Sequence, residues 1–278
     1  MKRILVTTDF STNSKAGVRF AIQFASQTKC ELIFYNVLET LKSNAWIVNS
    51  PKGKKAEHII KQEKLNKFIT AIYKESDIPI KKFKCVVEAG IDVNAMITKY
   101  NKINNVDFIC ISTRGAGIIK KILGTTTSAL IQKSLVPVIV IPKNYRKNKI
   151  SEILYSSDMA DLKTELNTVK KFATPLLANI HVFNYDCMIE VDDVRTRLNK
   201  IAAKYSKKGI EFNFKKQNVE NSISKHLQKD IDKLKPSIVV MFTKLNKAWY
   251  ERWFLHNNSE EVTFDTKTPL VIFRKTSK

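Results

Sequence analysis

The chain is short of the residues that punctuate or staple small folds. Seven Gly and seven Pro are spread over 278 residues, which excludes collagenous and long flexible segments. The four cysteines, Cys30, Cys85, Cys110 and Cys187, form no close CxxC pair, which argues against a disulfide framework or a zinc ribbon. The first three lie in or beside apolar strand-like segments, so buried free thiols are expected. The longest apolar runs, such as Val136–Pro142 and Ile238–Phe242, fall far short of the roughly 20 residues a membrane helix needs. Met1-Lys2-Arg3 leads at once into Ile4-Leu5-Val6 with no small-residue cleavage site. A cytoplasmic protein without a membrane partner is the expectation.

Acidic residues are also scarce. Asp and Glu number 26 against 48 Lys and Arg, a formal net charge of +22. Such a charge raises nucleic acid or an anionic surface as a partner. Only eight of the basic residues are Arg, the preferred fork for phosphates and base edges. The Lys are scattered, with local runs at 52–55, 81–84 and 143–149. A solvated lysine-rich surface explains them, and a nucleic-acid partner is not expected.

Several chemistries leave no trace. There is no GxxxxGK[ST], no HExxH, no GxSxG, and no GxGxxG with a downstream acid. The four His (His58, His181, His226 and His256) lie far apart and suggest no metal set. No general base pairs with a nucleophile, so no catalytic constellation is apparent.

What is present is an alternation of strands and helices. Residues 3–8 read as a buried strand, followed by a turn at Asp9-Phe10-Ser11. Asn13–Thr28 has helical apolar spacing. Glu31–Val37 reads as a second strand and Thr40–Pro51 as irregular. Lys55–Glu75 reads as a helix with Ile59, Ile60, Leu65, Phe68, Ile69 and Ile72 inward. Ile80–Val87 is a third strand. Asp92–Asn104 is a helix with Asp92 as its N-cap. Asp107–Ser112, a glycine-bearing loop over 113–124, a helix over Thr125–Ser134 and a fifth strand at Pro137–Ile141 complete the unit. This order predicts an α/β domain with a parallel sheet between helices. Ligands in such sheets bind beyond the carboxyl ends of the strands, at the point where the winding reverses.

The basic stretch Lys143–Lys149 reads as a linker, after which the pattern restarts. Ile150–Asp158 (ISEILYSSD) echoes Lys2–Asp9 (KRILVTTD), and KTPLVIFRK (267–275) echoes LVPVIVIPK (135–143). Two copies of one unit are therefore predicted, over 1–145 and 150–278. Each is expected to be an open, mostly parallel five-stranded sheet flanked by helices.

In the first copy three segments should meet at the carboxyl edge: Thr7-Thr8-Asp9, Asn36-Val37, and Ser112-Thr113-Arg114-Gly115 with Gly124-Thr125-Thr126-Thr127 opening the last helix. A helix N-terminus with small residues and hydroxyls offers free N–H groups to phosphate. Asp9 is placed to accept from an adenine amine or ribose hydroxyl; alternatively, Asp9 or Ser11 only caps the first helix. Gly124-Thr125 is likewise a phosphate site or a tight turn. Arg114, Lys120 and Lys121 are read as a solvated loop.

ILVTTDFS, and STRG–x8–GTTTSALIQKSLVPVIVIP, resemble the universal stress protein family over residues 1–143. ATP-binding members carry a loop of the form G–x2–G–x9–G–(S/T). Here Ser112 stands for the first glycine, and eight residues separate Gly115 from Gly124. The resemblance implies that Asp9 lies near adenine, that Thr7 and Val37 line the base pocket, and that Gly115, Gly124 and Thr125 hold phosphate and ribose. Thr8, Ser112, Thr126 and Thr127 complete the set. It implies ATP or AMP as ligand, with or without Mg2+, and a stress-response regulatory role. It also implies edge-to-edge pairing of the last strands of two copies, giving an intramolecular pseudo-dimer or a homodimer.

The second copy resembles the family more weakly. Asp158 matches Asp9, but 243–259 contains no glycine, and His256-Asn257 stands where Gly124-Thr125 stood. The second copy is therefore read as degenerate for nucleotide. Trp249, Tyr250, Trp253 and Phe254 fill that loop, either as packing or as a docking patch for a protein partner. The alternatives to nucleotide-dependent regulation are an interaction module without nucleotide and a weak ATPase.

Overall fold

The computed structural model describes residues 1–39, 51–113, 124–189, 191–206, 209–217, 223–243 and 267–275. The chain divides into two compact units, Met1–Lys147 and Asn148–Lys278.

The first unit alternates strands and helices as β1 (Lys2–Thr7), α1 (Thr12–Gln27), β2 (Cys30–Glu39), α2 (Pro51–Glu75), β3 (Phe83–Gly90), α3 (Val93–Asn104), β4 (Phe108–Ser112), α4 (Gly124–Lys133) and β5 (Val138–Ile141). The strands are all parallel, in the order β3-β2-β1-β4-β5. The chain winds outward from β1 to β3, then returns to place β4 on the other side of β1. That reversal puts a crevice between the carboxyl ends of β1 and β4. Helices α1 and α2 contact each other on one face, and α3 and α4 on the other. With both faces covered, the central strands are apolar throughout: Ile4, Leu5 and Val6 are each at most 1% exposed.

The helix ends follow local chemistry. Ser11 caps α1 by accepting from Ser14 N. Asp92 caps α3 by accepting from Asn94 N and Ala95 N. Proline opens α2, where a missing N–H costs no hydrogen bond.

Three expectations need correction. The ladder between β2 and β3 begins at Leu32 opposite Phe83, so the third strand starts at Phe83, and Ile80 is exposed outside it. Helix α2 starts at Pro51, four residues earlier than its spacing predicts, and is about 37 Å long at 1.5 Å per residue. Ile59 and Ile60, on the helix face turned away from the sheet, are exposed (50% and 64%), whereas Leu65, Ile69 and Ile72 are fully buried and Phe68 partly so. The cysteines are free, but only Cys110 is buried; Cys30 and Cys85 are half-buried and Cys187 is exposed. Burial pushes the Cys85 thiol up to about 12 and raises that of Cys110.

The second unit repeats the plan with β6 (Glu152–Ser156), α5 (Leu162–Ala173), a short 3-10 turn (Thr174–Leu176), β7 (Asn179–Asp186), α6 (Asp192–Ser206), β8 (Ile210–Lys216), α7 (Ile223–Leu234), β9 (Ile238–Thr243) and β10 (Leu270–Arg274). Its parallel order is β10-β9-β6-β7-β8, so β6 takes the place of β1 and β9 that of β4. The turn after the first strand is also repeated. Phe10 and Met159 both have φ of +63°, a left-handed conformation unusual for a bulky side chain. Each is held by a hydroxyl: Phe10 N donates to Thr8 Oγ1 at 3.2 Å and Met159 N to Ser157 Oγ at 3.0 Å.

Candidate functional site

In the first unit a cleft opens at the winding reversal. It is lined by Thr7, Thr8 and Asp9 after β1, Ser11, Asn13 and Ser14 at the start of α1, and Tyr35, Asn36 and Val37 on β2. Val93 and Ile97 of α3, Ile111, Ser112 and Thr113 at the end of β4, and Thr126 and Thr127 in the first turn of α4 complete the wall. Its volume is about 110 Å³, and its mouth opens to solvent.

The floor is preorganised by side chains bonding to backbone. Asn36 Nδ2 donates to Thr8 O at 2.7 Å, tying β2 to the turn. The Thr8 and Ser14 hydroxyls share a 2.8 Å hydrogen bond. Asp9 Oδ1 accepts from Ser11 N at 3.0 Å. Burial alone would raise the Asp9 carboxyl, but the hydroxyl and N–H of Ser11 and the hydroxyl of Ser14 outweigh it and hold it below the ordinary 3.8. The group is therefore an ionised acceptor at neutral pH. Ser11 is the cap of α1, and Asp9 instead braces the turn and remains exposed at the rim.

Close approach sets the opposite wall. Gly17 N in α1 donates to Ser112 Oγ at 2.7 Å, and a Cβ on Gly17 would stand 2.7 Å from that oxygen. Glycine thus lets α1 press on the end of β4. At the back, Tyr35 donates to Glu88 Oε2 at 2.9 Å, and its ring lies 4.8 Å from that of Tyr100. Burial first, and then Glu88, raise the Tyr35 phenol well above its ordinary value, so it stays a neutral donor.

Of the residues singled out in the sequence, Thr7, Thr8, Asp9, Val37, Ser112, Thr126 and Thr127 surround this one cleft. Gly124 begins α4, and Thr125 follows in its backbone. Gly115, Arg114, Lys120 and Lys121 lie outside the described residues, as do Trp249, Tyr250, Trp253, Phe254 and His256. Sequence reasoning missed Ser11, Asn13, Ser14, Tyr35, Val93 and Ile97 as wall residues. Ser11 and Ser14 carried a signal, because the first turn of the helix after β1 must face the crevice. Val93 and Ile97 sit four apart on α3 directly after its Asp92 cap.

The universal stress protein family model matches residues 1–142, just over half of the chain. The chain belongs to the universal stress protein family. No curated protein matches it. Among solved structures, a universal stress protein from Archaeoglobus fulgidus DSM 4304 is 17% identical with a TM-score of 0.72, covering 98% of this chain and 98% of that one. At that identity the likeness establishes the fold, here over both units. The universal stress protein UspA from Lactobacillus plantarum is 22% identical, with a TM-score of 0.41, over 50% of this chain and 97% of its own. A universal stress protein solved in complex with cAMP is 14% identical, with a TM-score of 0.39, over 53% of this chain and 98% of its own.

The second unit keeps the turn but not the crevice lining. Asn184 Nδ2 donates to Ser157 O at 3.1 Å and Ala160 N to Asp158 Oδ1 at 3.1 Å, as Asn36 and Ser11 do in the first unit. Sheet register pairs Ile4 with Phe108 and Ile153 with Ile238, so Phe242 stands where Ser112 stands. Its ring stacks on Phe273 at 5.1 Å and meets Tyr155 edge-on at 5.6 Å. Lys275 Nζ reaches Asp158 Oδ2 at 2.5 Å and Glu165 Oε1 at 3.2 Å. Among the described residues, no group of His, Cys, Asp and Glu is arranged to hold a metal ion, and no helix is long and apolar enough to cross a membrane.

Proposed function

We propose that the first unit binds an adenine nucleotide, ATP or AMP, and that occupancy regulates a stress response without chemistry. The observation that carries this reading is the convergence of three hydroxyl-rich segments and the first turn of α4 on one cleft at the winding reversal. The N-terminal N–H groups of α4 suit phosphate. Asp9, ionised at the rim, suits an adenine amine or ribose hydroxyl, and the Val37, Val93 and Ile97 side chains suit the face of a base. A ligand that binds one conformation better shifts the population toward it, and that shift is the whole signal. Slow ATP hydrolysis would need a positioned water and a divalent ion. Asp9 is the sole carboxylate in the described lining, and it is engaged with Ser11.

The test is mass spectrometry of small molecules released on denaturing freshly purified protein, with melting curves in ATP and magnesium. Released ATP or AMP, or stabilisation lost in Gly124→Val, is the expected result. A ligand at a hundredfold excess over its Kd stabilises by about 2.7 kcal/mol. No nucleotide and no shift at millimolar ATP would favour the interaction module instead.

A further inference from the structure

We propose that the carboxyl edge of the second unit is a primary-ammonium site, and that its resident ligand is the side chain of Lys275. The inference stands apart from the nucleotide reading, because it rests on contacts within Asn148–Lys278 alone.

The register of the two sheets places Lys143 and Lys275 at the same position, one past the residue that ends or follows the last strand: Ile109 pairs with Val138, and Val239 with Leu270. Their surroundings differ. Lys143 is exposed. Lys275 is 8% exposed and lies between two carboxylates, Asp158 Oδ2 at 2.5 Å and Glu165 Oε1 at 3.2 Å. The side chain of Glu165 is itself only 4% exposed, and its other oxygen accepts from the Tyr155 hydroxyl. The groups form one chain: the Tyr155 phenol donates to Glu165, Glu165 is ion-paired with the Lys275 ammonium, and the ammonium donates to Asp158 at the exposed end.

Two members, Glu165 and Tyr155, are substitutions relative to the first unit, while Lys275 and Asp158 match Lys143 and Asp9. Counting from the shared turn aspartates, Glu165 corresponds to Ala16 and Tyr155 to Val6. The first unit therefore has the turn aspartate, Asp9, but at these two positions neither the buried acid nor its phenol partner. A buried carboxylate without a cation is strongly destabilising, so Glu165 is tolerable because Lys275 is present. Burial by itself would lower the Lys275 ammonium, but the hydrogen bond to Asp158 and the charges of Glu165 and Asp158 outweigh it and raise it. The ammonium is thus held in place across the neutral range. Phe242 fills the position from which Ser112 lines the first cleft. What the first unit leaves open to a ligand, the second closes with its own cation.

Chemical rescue tests this in the full chain. Lys275→Ala removes a propylammonium group, so n-propylammonium chloride is the probe. The variant is expected to melt roughly 10 °C below wild type. n-Propylammonium should recover several degrees of that loss, while tetraethylammonium and sodium chloride at equal ionic strength should not, and wild type should not respond. Melting of Lys275→Ala at the wild-type temperature, or a response no larger than the salt control, would overturn the proposal. If that variant does not fold, Lys275→Met keeps the apolar stem and leaves Glu165 without its cation. It should be destabilised, and adding Glu165→Leu should restore stability, since apolar replacement of a whole buried pair is neutral or favourable. A Lys275→Met protein as stable as wild type refutes the site.

Discussion

Gly17 and Ser112 show how much of the first cleft depends on a single hydrogen atom. The Gly17 N–H to Ser112 Oγ contact at 2.7 Å exists because no Cβ intervenes. Gly17→Ala forces the Ser112 hydroxyl to rotate and breaks that bond. A loss of about 1–2 kcal/mol is expected by denaturant titration, although alanine is the better helix former. Asp9 gives the residue scale a pH signature. Its folded value is depressed, so its contribution is complete above the ordinary 3.8 and is lost as pH falls through the lower folded value. Wild type should exceed Asp9→Asn in stability at pH 6, and the two should converge in acid titrations below pH 3.8. The Thr7–Asp9 turn was legible in the sequence because strand, turn and helix follow one another directly. Lys275 was not. The match of LVPVIVIPK with KTPLVIFRK aligned it with Lys143, but burial of one and exposure of the other depends on Glu165 and Tyr155, which lie far away in sequence.

At the scale of elements, α2 does more than cover a sheet face. His58 Nε2 bonds Val87 O at 2.8 Å, and Gln62 Nε2 donates to Cys85 O at 3.0 Å. Residues four apart on a helix are about 6 Å apart along its axis, and residues two apart on a strand about 6.6 Å, so one face of α2 reaches successive outward carbonyls of β3. Unpaired edge carbonyls invite pairing with another chain. The double variant His58→Ala, Gln62→Ala should show increased concentration-dependent self-association by analytical ultracentrifugation. Unchanged sedimentation would assign these bonds to helix placement alone. Element type and order were legible from apolar periodicity in the first unit, while in the second only the strand ends that echo the first were legible. The starts of α2 and β3 were not, because Pro51, Lys52, Gly53 and Lys54 add nothing to the helical apolar rhythm, and Ile80 extends an apolar run that begins before the β3 ladder does.

At the scale of the whole molecule, the two units have one topology and opposite interiors at the carboxyl edge. The repeated turn, with Phe10 and Met159 both left-handed and both held by a hydroxyl, shows that the backbone frame was kept while its lining changed. Internal repetition was readable in the sequence because strand ends and turn aspartates recur in order. The second copy reads as degenerate for nucleotide from its glycine-free loop, and Phe242 and Lys275 are the separate basis for the proposed closed crevice. The net charge of +22 does not decide the partner, since it is carried mainly by dispersed lysines. The most direct measurement is therefore the stoichiometry of nucleotide binding to the full chain by isothermal titration calorimetry. The account predicts one ATP or AMP per chain, abolished by Gly124→Val and retained in Lys275→Met. Two per chain would contradict the closed second unit, and none would contradict the open first one.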